Sequence, residues 1–191
     1  MRATFTETGR DGDARTGFVT TARGEFTTPR FMPVGTRGAI RHLASDDVEA
    51  LGAQVILANT YHLMLRPGAD IVAELGGIHG FAAWDGHFLT DSGGYQIFSL
   101  GPDLTDEGAT FKSTYDGSTH LLTPERAVEV QALIGADIQM VLDVCPSSVA
   151  DLSVVKAAVD RTSLWAERGR RSFLDHADAA GRQSQFGIVQ G

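Results

Sequence analysis

The chain has 191 residues, 42% hydrophobic and 21% charged, which is enough apolar content for a packed core and too little bias for a disordered or fibrous polymer. Its 16 Lys and Arg face 24 Asp and Glu, a net charge of −8 that excludes a surface built mainly to grip phosphate, so nucleic-acid contact must be local or supplied elsewhere in the molecule. A single cysteine, Cys145, excludes an internal disulfide framework and a multi-cysteine zinc site within these residues and fits a reducing cytoplasm, and no apolar run of about 18 residues or signal-peptide core marks a membrane span or export.

The chain opens as β structure. Alternation in Thr4-Phe5-Thr6 and in Gly17-Phe18-Val19-Thr20, around the turn-rich Gly9-Arg10-Asp11-Gly12-Asp13, predicts a hairpin. Residues 26–34 read as extended but carry Pro29 and Pro33, which suits an edge strand leading into a sheet. Ser45-Asp46-Asp47 reads as an N-cap with acidic first-turn residues, and Gly52 closes that short helix before a buried strand, Val55-Ile56-Leu57-Ala58.

This helix-to-strand step recurs. Thr123-Pro124 starts a helix whose apolar positions Ala127, Val128, Val130, Leu133 and Ile134 run to Gly135, ahead of the strand Ile138-Gln139-Met140-Val141-Leu142. From Asp151 to about His176, the positions Leu152, Val155, Ala158, Val159, Thr162, Trp165 and Phe173 form one helical stripe, followed by the strand Phe186-Gly187-Ile188-Val189. Residues 111–122 form an excursion, with Tyr115-Asp116-Gly117-Ser118 as its hairpin turn.

Alternating strands and helices predict an α/β fold with a parallel sheet, doubly wound or closed into a barrel. Apolar strand candidates ending in Asn59, Asp91, Asp143 and Gln190 favour a barrel, where strand carboxyl ends share one mouth. A complete TIM barrel needs about 200 residues at minimum and typically about 250, so the expected architecture is an incomplete TIM-type barrel with an N-terminal β-hairpin excursion. Residues 1–191 then form the N-terminal part of a single catalytic domain.

Thr90-Asp91-Ser92-Gly93-Gly94-Tyr95-Gln96 is the densest chemical signal. A carboxylate at a strand end, two glycines that let the backbone approach a flat ligand, and an aromatic face together describe a pocket for a planar polar molecule. A tight glycine turn over a buried tyrosine has the same spacing. Asp143 adds an acceptor and Gln190 an amide that both donates and accepts, the mixed set that a nucleobase edge requires. Asp91 and Asp143 also match the carboxylate pair of a glycosidase. His62 and Cys145 read as structural residues, and Arg161, Arg168, Arg170 and Arg171 as a solvated helix face.

Several ordered segments, Phe31-Met32-Pro33-Val34-Gly35-Thr36, Ala58-Asn59-Thr60-Tyr61-His62-Leu63, Leu65-Arg66-Pro67-Gly68, Thr90-Asp91-Ser92-Gly93-Gly94-Tyr95-Gln96 and Gly187-Ile188-Val189-Gln190-Gly191, resemble the signature segments of tRNA-guanine transglycosylase, also called queuine tRNA-ribosyltransferase. The resemblance covers essentially the whole chain. It implies an irregular TIM barrel that exchanges the anticodon wobble guanine of GU(N)-anticodon tRNAs for a 7-deazaguanine, in bacteria the queuosine precursor preQ1. It also implies a cytoplasmic homodimer with no membrane association.

By the same resemblance, Asp91 handles protons on the base, Ser92, Gly93, Gly94 and Tyr95 line the base pocket, Asp143 reads the guanine-type edge, Gln190 and Gly191 contact the same ligand, and Asn59 orients Asp91. The family's aspartate nucleophile and its zinc ligands, three cysteines and a histidine, are expected beyond residue 191, so zinc belongs to the full-length protein and this stretch alone is expected to be inactive. Two further expectations compete with an active subunit: a non-catalytic partner of such an enzyme, and a carboxylate-pair glycosidase. Asp143-Val144-Cys145-Pro146 departs from many bacterial members, which have glutamate and threonine at the valine and proline positions.

Overall fold

The structure is a computed structural model and describes residues 3–189, apart from the side chains of residues 177 and 178. Strands β1 (Thr4–Asp11), β2 (Ala14–Thr21) and β3 (Gly24–Thr28) form an antiparallel sheet, so the predicted hairpin is present and gains a third strand. The expected extended segment divides after Thr28, and only Val34 pairs again, in a parallel bridge to Leu57.

Helix α1 (Ser45–Ala50) leads to β4 (Val55–Ala58). Its N-cap is Ala44 rather than Ser45: the Asp47 carboxylate accepts from the Ala44 amide at 2.9 Å, while the Ser45 hydroxyl donates to the Ala82 carbonyl. Helices α2 (Thr60–Leu63), α3 (Ala69–Glu74) and α4 (Gly77–Ala82) follow, the first two joined through a kink at Met64–Gly68, where Arg66 leaves the helical conformation. Then come β5 (His87–Thr90) and α5 (Gly94–Phe98).

The excursion is a small antiparallel sheet of β6 (Asp103–Leu104), β7 (Ala109–Lys112) and β8 (Thr119–Leu122). Helix α6 (Pro124–Ile134) starts as predicted, with the Thr123 hydroxyl accepting from the Arg126 amide at 3.1 Å. Strand β9 (Ile138–Met140), α7 (Leu152–Asp175), α8 (Ala177–Arg182) and β10 (Ser184–Phe186) complete the order.

The parallel strands are arranged β10-β9-β5-β4, with Val34 bridging to β4. Each strand therefore lies beside its predecessor in sequence, the order of a barrel arc, whereas a doubly wound sheet reverses direction partway. The described residues form a mixed α/β structure whose parallel sheet is open. One face packs Val55, Leu89 and Ile138 against Phe26 and Val19 of the N-terminal sheet. The other packs Ile56, Ala58 and Phe88 against Val48, Leu63, Val72, Ile78 and Ile134 from the helices, the two-sided burial that parallel strands require.

Two predicted strands are displaced. β10 is Ser184–Phe186, not residues 186–189, because its ladder with Ile138–Met140 engages Ser184 and Gln185, and hydrogen bonds to Gln183 and Ser184 allow those two polar residues to be buried; Val189 lies beyond it, 94% exposed. β9 stops at Met140, and Leu142 turns to pack with Tyr61, Ile97 and Trp165. On α7 the buried stripe is Ala158, Thr162, Trp165, Gly169 and Phe173, while Leu152 at the overhanging first turn is 83% exposed.

An unpredicted ionic clasp holds the layers together at the amino ends of the strands. The Asp137 carboxylate accepts from Arg23 Nε at 2.8 Å, from the Phe88 amide at 2.8 Å, and lies 3.0 Å from His79 Nε2. Burial pushes the Asp137 carboxyl upward, but His79, the Phe88 amide and Arg23 together bring it below its ordinary value. One side chain thereby joins the N-terminal sheet, α4 and β5.

Candidate functional site

The carboxyl ends of β4 and β5 lie side by side, which brings Asn59 and Asp91 together. Asn59 donates its side-chain amide to Asp91 Oδ2, and the Thr60 and Gly93 amides donate to Oδ1 at 2.9 and 3.0 Å. The Thr60 hydroxyl donates to the Asp91 carbonyl at 2.5 Å. Burial pushes the Asp91 carboxyl above its ordinary value, against the opposing pull of Asn59, Thr60, Gly93 and the Gln96 side chain.

The glycine turn connects this carboxylate to the next strand's terminus. The Ser92 hydroxyl donates to Asp143 Oδ1 at 3.0 Å and accepts from the Gly94 amide at 3.1 Å. Gly93 has φ +81° and faces the Tyr61 backbone, so a side chain there is strained and crowded. A Cβ on Gly94 would stand 3.0 Å from both the carbonyl and Oδ1 of Asp143. The second glycine thus exists to let α5 sit against Asp143, which is buried.

Asn59, Asp91, Ser92, Gly93, Gly94 and Asp143 are therefore assembled in one place. Tyr95, in the first turn of α5, is 72% exposed, so the turn does not sit over a buried tyrosine. Gln190 and Gly191 lie outside the described residues. The arrangement can present the half-buried Asp91 and buried Asp143 carboxylates to the N–H groups of a planar heterocycle and leave an aromatic face uncovered beside them.

Sequence reading singled out neither Gln96, which reaches Asp91 from α5 and whose Oε1 is buried without a hydrogen-bond partner, nor Tyr61. The Tyr61 hydroxyl lies 3.0 Å from Thr114 Oγ1 and accepts from the Thr114 amide at 3.2 Å, tying the hairpin excursion to the turn after β4. Gln96 stands five residues after Asp91 in the same glycine-turn segment; Tyr61 acquires its role only when distant segments meet. His62, read as structural, hydrogen-bonds the Tyr115 hydroxyl at 2.8 Å. The α7 arginines engage local partners: Arg168 with Glu125, Arg161 with Asp106, Arg171 with Glu167, and Arg170 over the Phe173 ring. Among the described residues no three His, Cys, Asp or Glu side chains gather as metal ligands, and no helix is long and apolar enough to cross a membrane.

Comparison with known proteins places the chain in a family. A family model described as queuine tRNA-ribosyltransferase matches residues 11–191. The chain is similar to proteins named queuine tRNA-ribosyltransferase from Novosphingobium aromaticivorans, 50% identical over 95% of this chain and 49% of that protein, and from Solidesulfovibrio magneticus, 50% identical over 98% and 50%. A relative of the same name from Zymomonas mobilis is 47% identical over 100% of the chain and 50% of its own length. The chain spans about half the length of these curated relatives. With the strand-end site and a match over nearly its full length, the chain belongs to the queuine tRNA-ribosyltransferase family.

Proposed function

We propose that this chain forms the base-binding part of an enzyme that exchanges the anticodon wobble guanine of GU(N) tRNAs for a 7-deazaguanine such as preQ1. The observation that carries the reading is the linkage of Asp91 to Asp143 through Ser92, Gly93 and Gly94, in a chain of this family. Family membership favours this reading over a carboxylate-pair glycosidase.

In the exchange, an aspartate expected in sequence after residue 191 attacks ribose C1′; the C1′–O bond forms as the glycosidic C–N bond breaks, and guanine departs with the bond electrons and takes up a proton. Asp91 handles that proton and removes one from the incoming base. Its upward-shifted carboxyl is displaced in the direction that makes it a better base. Asp143, aligned by Ser92, accepts from the N–H donors of the guanine-type edge. Tyr95 stacks on the ring, and Gln190 and Gly191 contact the same ligand.

The sequential strand order supports an arc of a TIM-type barrel that the remaining chain closes. The family resemblance supports a cytoplasmic homodimer of the complete protein. It also supports zinc on ligands after residue 191; the described residues supply no ligand set for it, and no step here is routed through it.

The test is guanine exchange into tRNA by the protein expressed from its complete reading frame. Asp91→Asn and Asp143→Ala are each expected to abolish exchange, with thermal unfolding of each variant measured to establish that it is folded. Retained exchange in either variant refutes the role assigned to that carboxylate.

A further inference from the structure

The β7–β8 hairpin lies outside the parallel sheet, yet its tip is fastened to the turn that carries the site. Tyr61 holds Thr114 through its hydroxyl, and the next residues on each side, His62 and Tyr115, are hydrogen-bonded at 2.8 Å. These bonds fix Tyr115 two short steps from Asn59 and Thr60, which themselves hold Asp91. The Arg66 guanidinium stands 5.7 Å from the Tyr115 ring centroid, and the His62 ring meets the same ring edge-on at 6.1 Å.

Tyr115 remains 37% exposed and Arg66 is exposed, although both are held in place. Burial holds the His62 imidazole below its ordinary value, with Arg37 adding to the effect and Asp91 opposing it, which places both of those charges within electrostatic reach of His62. Arg66 puts positive charge beside Tyr115 in a chain whose net charge is −8. The carboxylate on the hairpin turn, Asp116, is occupied by the hydroxyl and amide of Ser118.

We propose that Tyr115 and Arg66 form a stacking platform for an RNA base flanking the nucleotide that enters the Asp91 site, with the Arg66 guanidinium also facing the adjoining phosphate. This rests on the base-exchange reading and adds the element that grips the RNA strand beside the exchanged base. A planar ring and a planar guanidinium, both pre-positioned, fit an unstacked base, since base stacking on aromatic and arginine planes is the usual means of holding single-stranded nucleic acid. Within these 191 residues, whose net charge is −8, such short-range contacts are the means of holding phosphate and base.

The experiment measures binding of a fluorescein-labelled tRNA anticodon stem-loop to the protein expressed from its complete reading frame, alongside guanine exchange. Tyr115→Ala is expected to weaken RNA binding about tenfold. Tyr115→Phe, which keeps the ring and loses only the bond to His62, is expected to bind within about twofold of the parent. Arg66→Gln is expected to weaken binding and to reduce the slope of log Kd against log salt by about one. Binding by Tyr115→Ala equal to the parent, or Tyr115→Phe as weak as Tyr115→Ala, overturns the platform. If Tyr115→Ala does not fold, an Arg66→Gln variant with unchanged affinity and salt slope overturns it. A parent protein that binds the stem-loop but exchanges no guanine refutes the base-exchange reading and leaves the platform standing on its binding data.

Discussion

The side-chain amide of Asn59, at the end of β4, donates to the carboxylate of Asp91, at the end of the adjacent β5. Two neighbouring parallel strands thereby deliver a donor and an acceptor to the same point, and the Thr60 and Gly93 amides complete the cradle. Because the carboxylate is already desolvated, each donor contributes to keeping it ionised.

Removing that donor has a directional consequence for acid–base behaviour. Asn59→Ala takes away an interaction that lowers the Asp91 carboxyl and leaves burial to push it further up. The acid limb of the pH–rate profile for guanine exchange is expected to move to higher pH, with activity near neutrality falling about tenfold. A profile superimposable on the parent's contradicts a positioning role for Asn59.

Gly94→Ala places a methyl group 3.0 Å from the Asp143 carbonyl and Oδ1 and 3.1 Å from Ser92 Oγ. Something must yield, and the backbone carbonyl is the least able to. The variant is expected to lose about 1–3 kcal/mol of stability and to raise KM for the free base more than KM for tRNA. Urea unfolding and steady-state exchange measure the two effects separately.

Asp137 is expected to govern acid stability. Its carboxyl is lower in the folded protein than in the unfolded chain, so its contribution is present above the ordinary carboxylate value and is lost as pH falls through the lowered one. Asp137→Asn is expected to cost about 3 kcal/mol at pH 7, with the difference from the parent shrinking as the solution is acidified below the ordinary value. Unfolding followed at several pH values checks this; a difference that stays constant into strong acid contradicts the clasp.

Gln131 is fully buried on α6, where Oε1 accepts from the Met140 amide at 3.0 Å and the Thr90 hydroxyl at 2.9 Å while Nε2 donates to the Met140 and Ala127 carbonyls at 3.0 Å. Gln131→Leu preserves volume and removes these bonds. It is expected to destabilise the protein by about 3 kcal/mol, since it strands backbone and hydroxyl groups away from water. Equilibrium denaturation provides the measurement.

Sequence periodicity and cap chemistry located the hairpin, α6 and α7, because those signals are local. Thr123-Pro124 and Gly135 mark the ends of α6 without help from the rest of the fold. Asn59, Asp91 and Asp143 were legible as strand-end polar residues, and the structure gathers them. β10 was misplaced because Gln183 and Ser184 look unsuited to burial; their compensation comes from Gln139, the Gln131 and Ala136 carbonyls and the Asp137 carbonyl, all distant in sequence. The short helices between β4 and β5 were missed for a related reason: each has too few residues to show periodicity, and tertiary packing holds them. Asp137 gave no local sign because its partners come from three other segments.

The laying of each parallel strand against the one before it bears on biosynthesis. A chain emerging from the ribosome can add β5 to β4, then β9 and then β10, without waiting for a distant segment to slot between them. Because each strand is added at a single advancing margin, assembly can follow the order of translation.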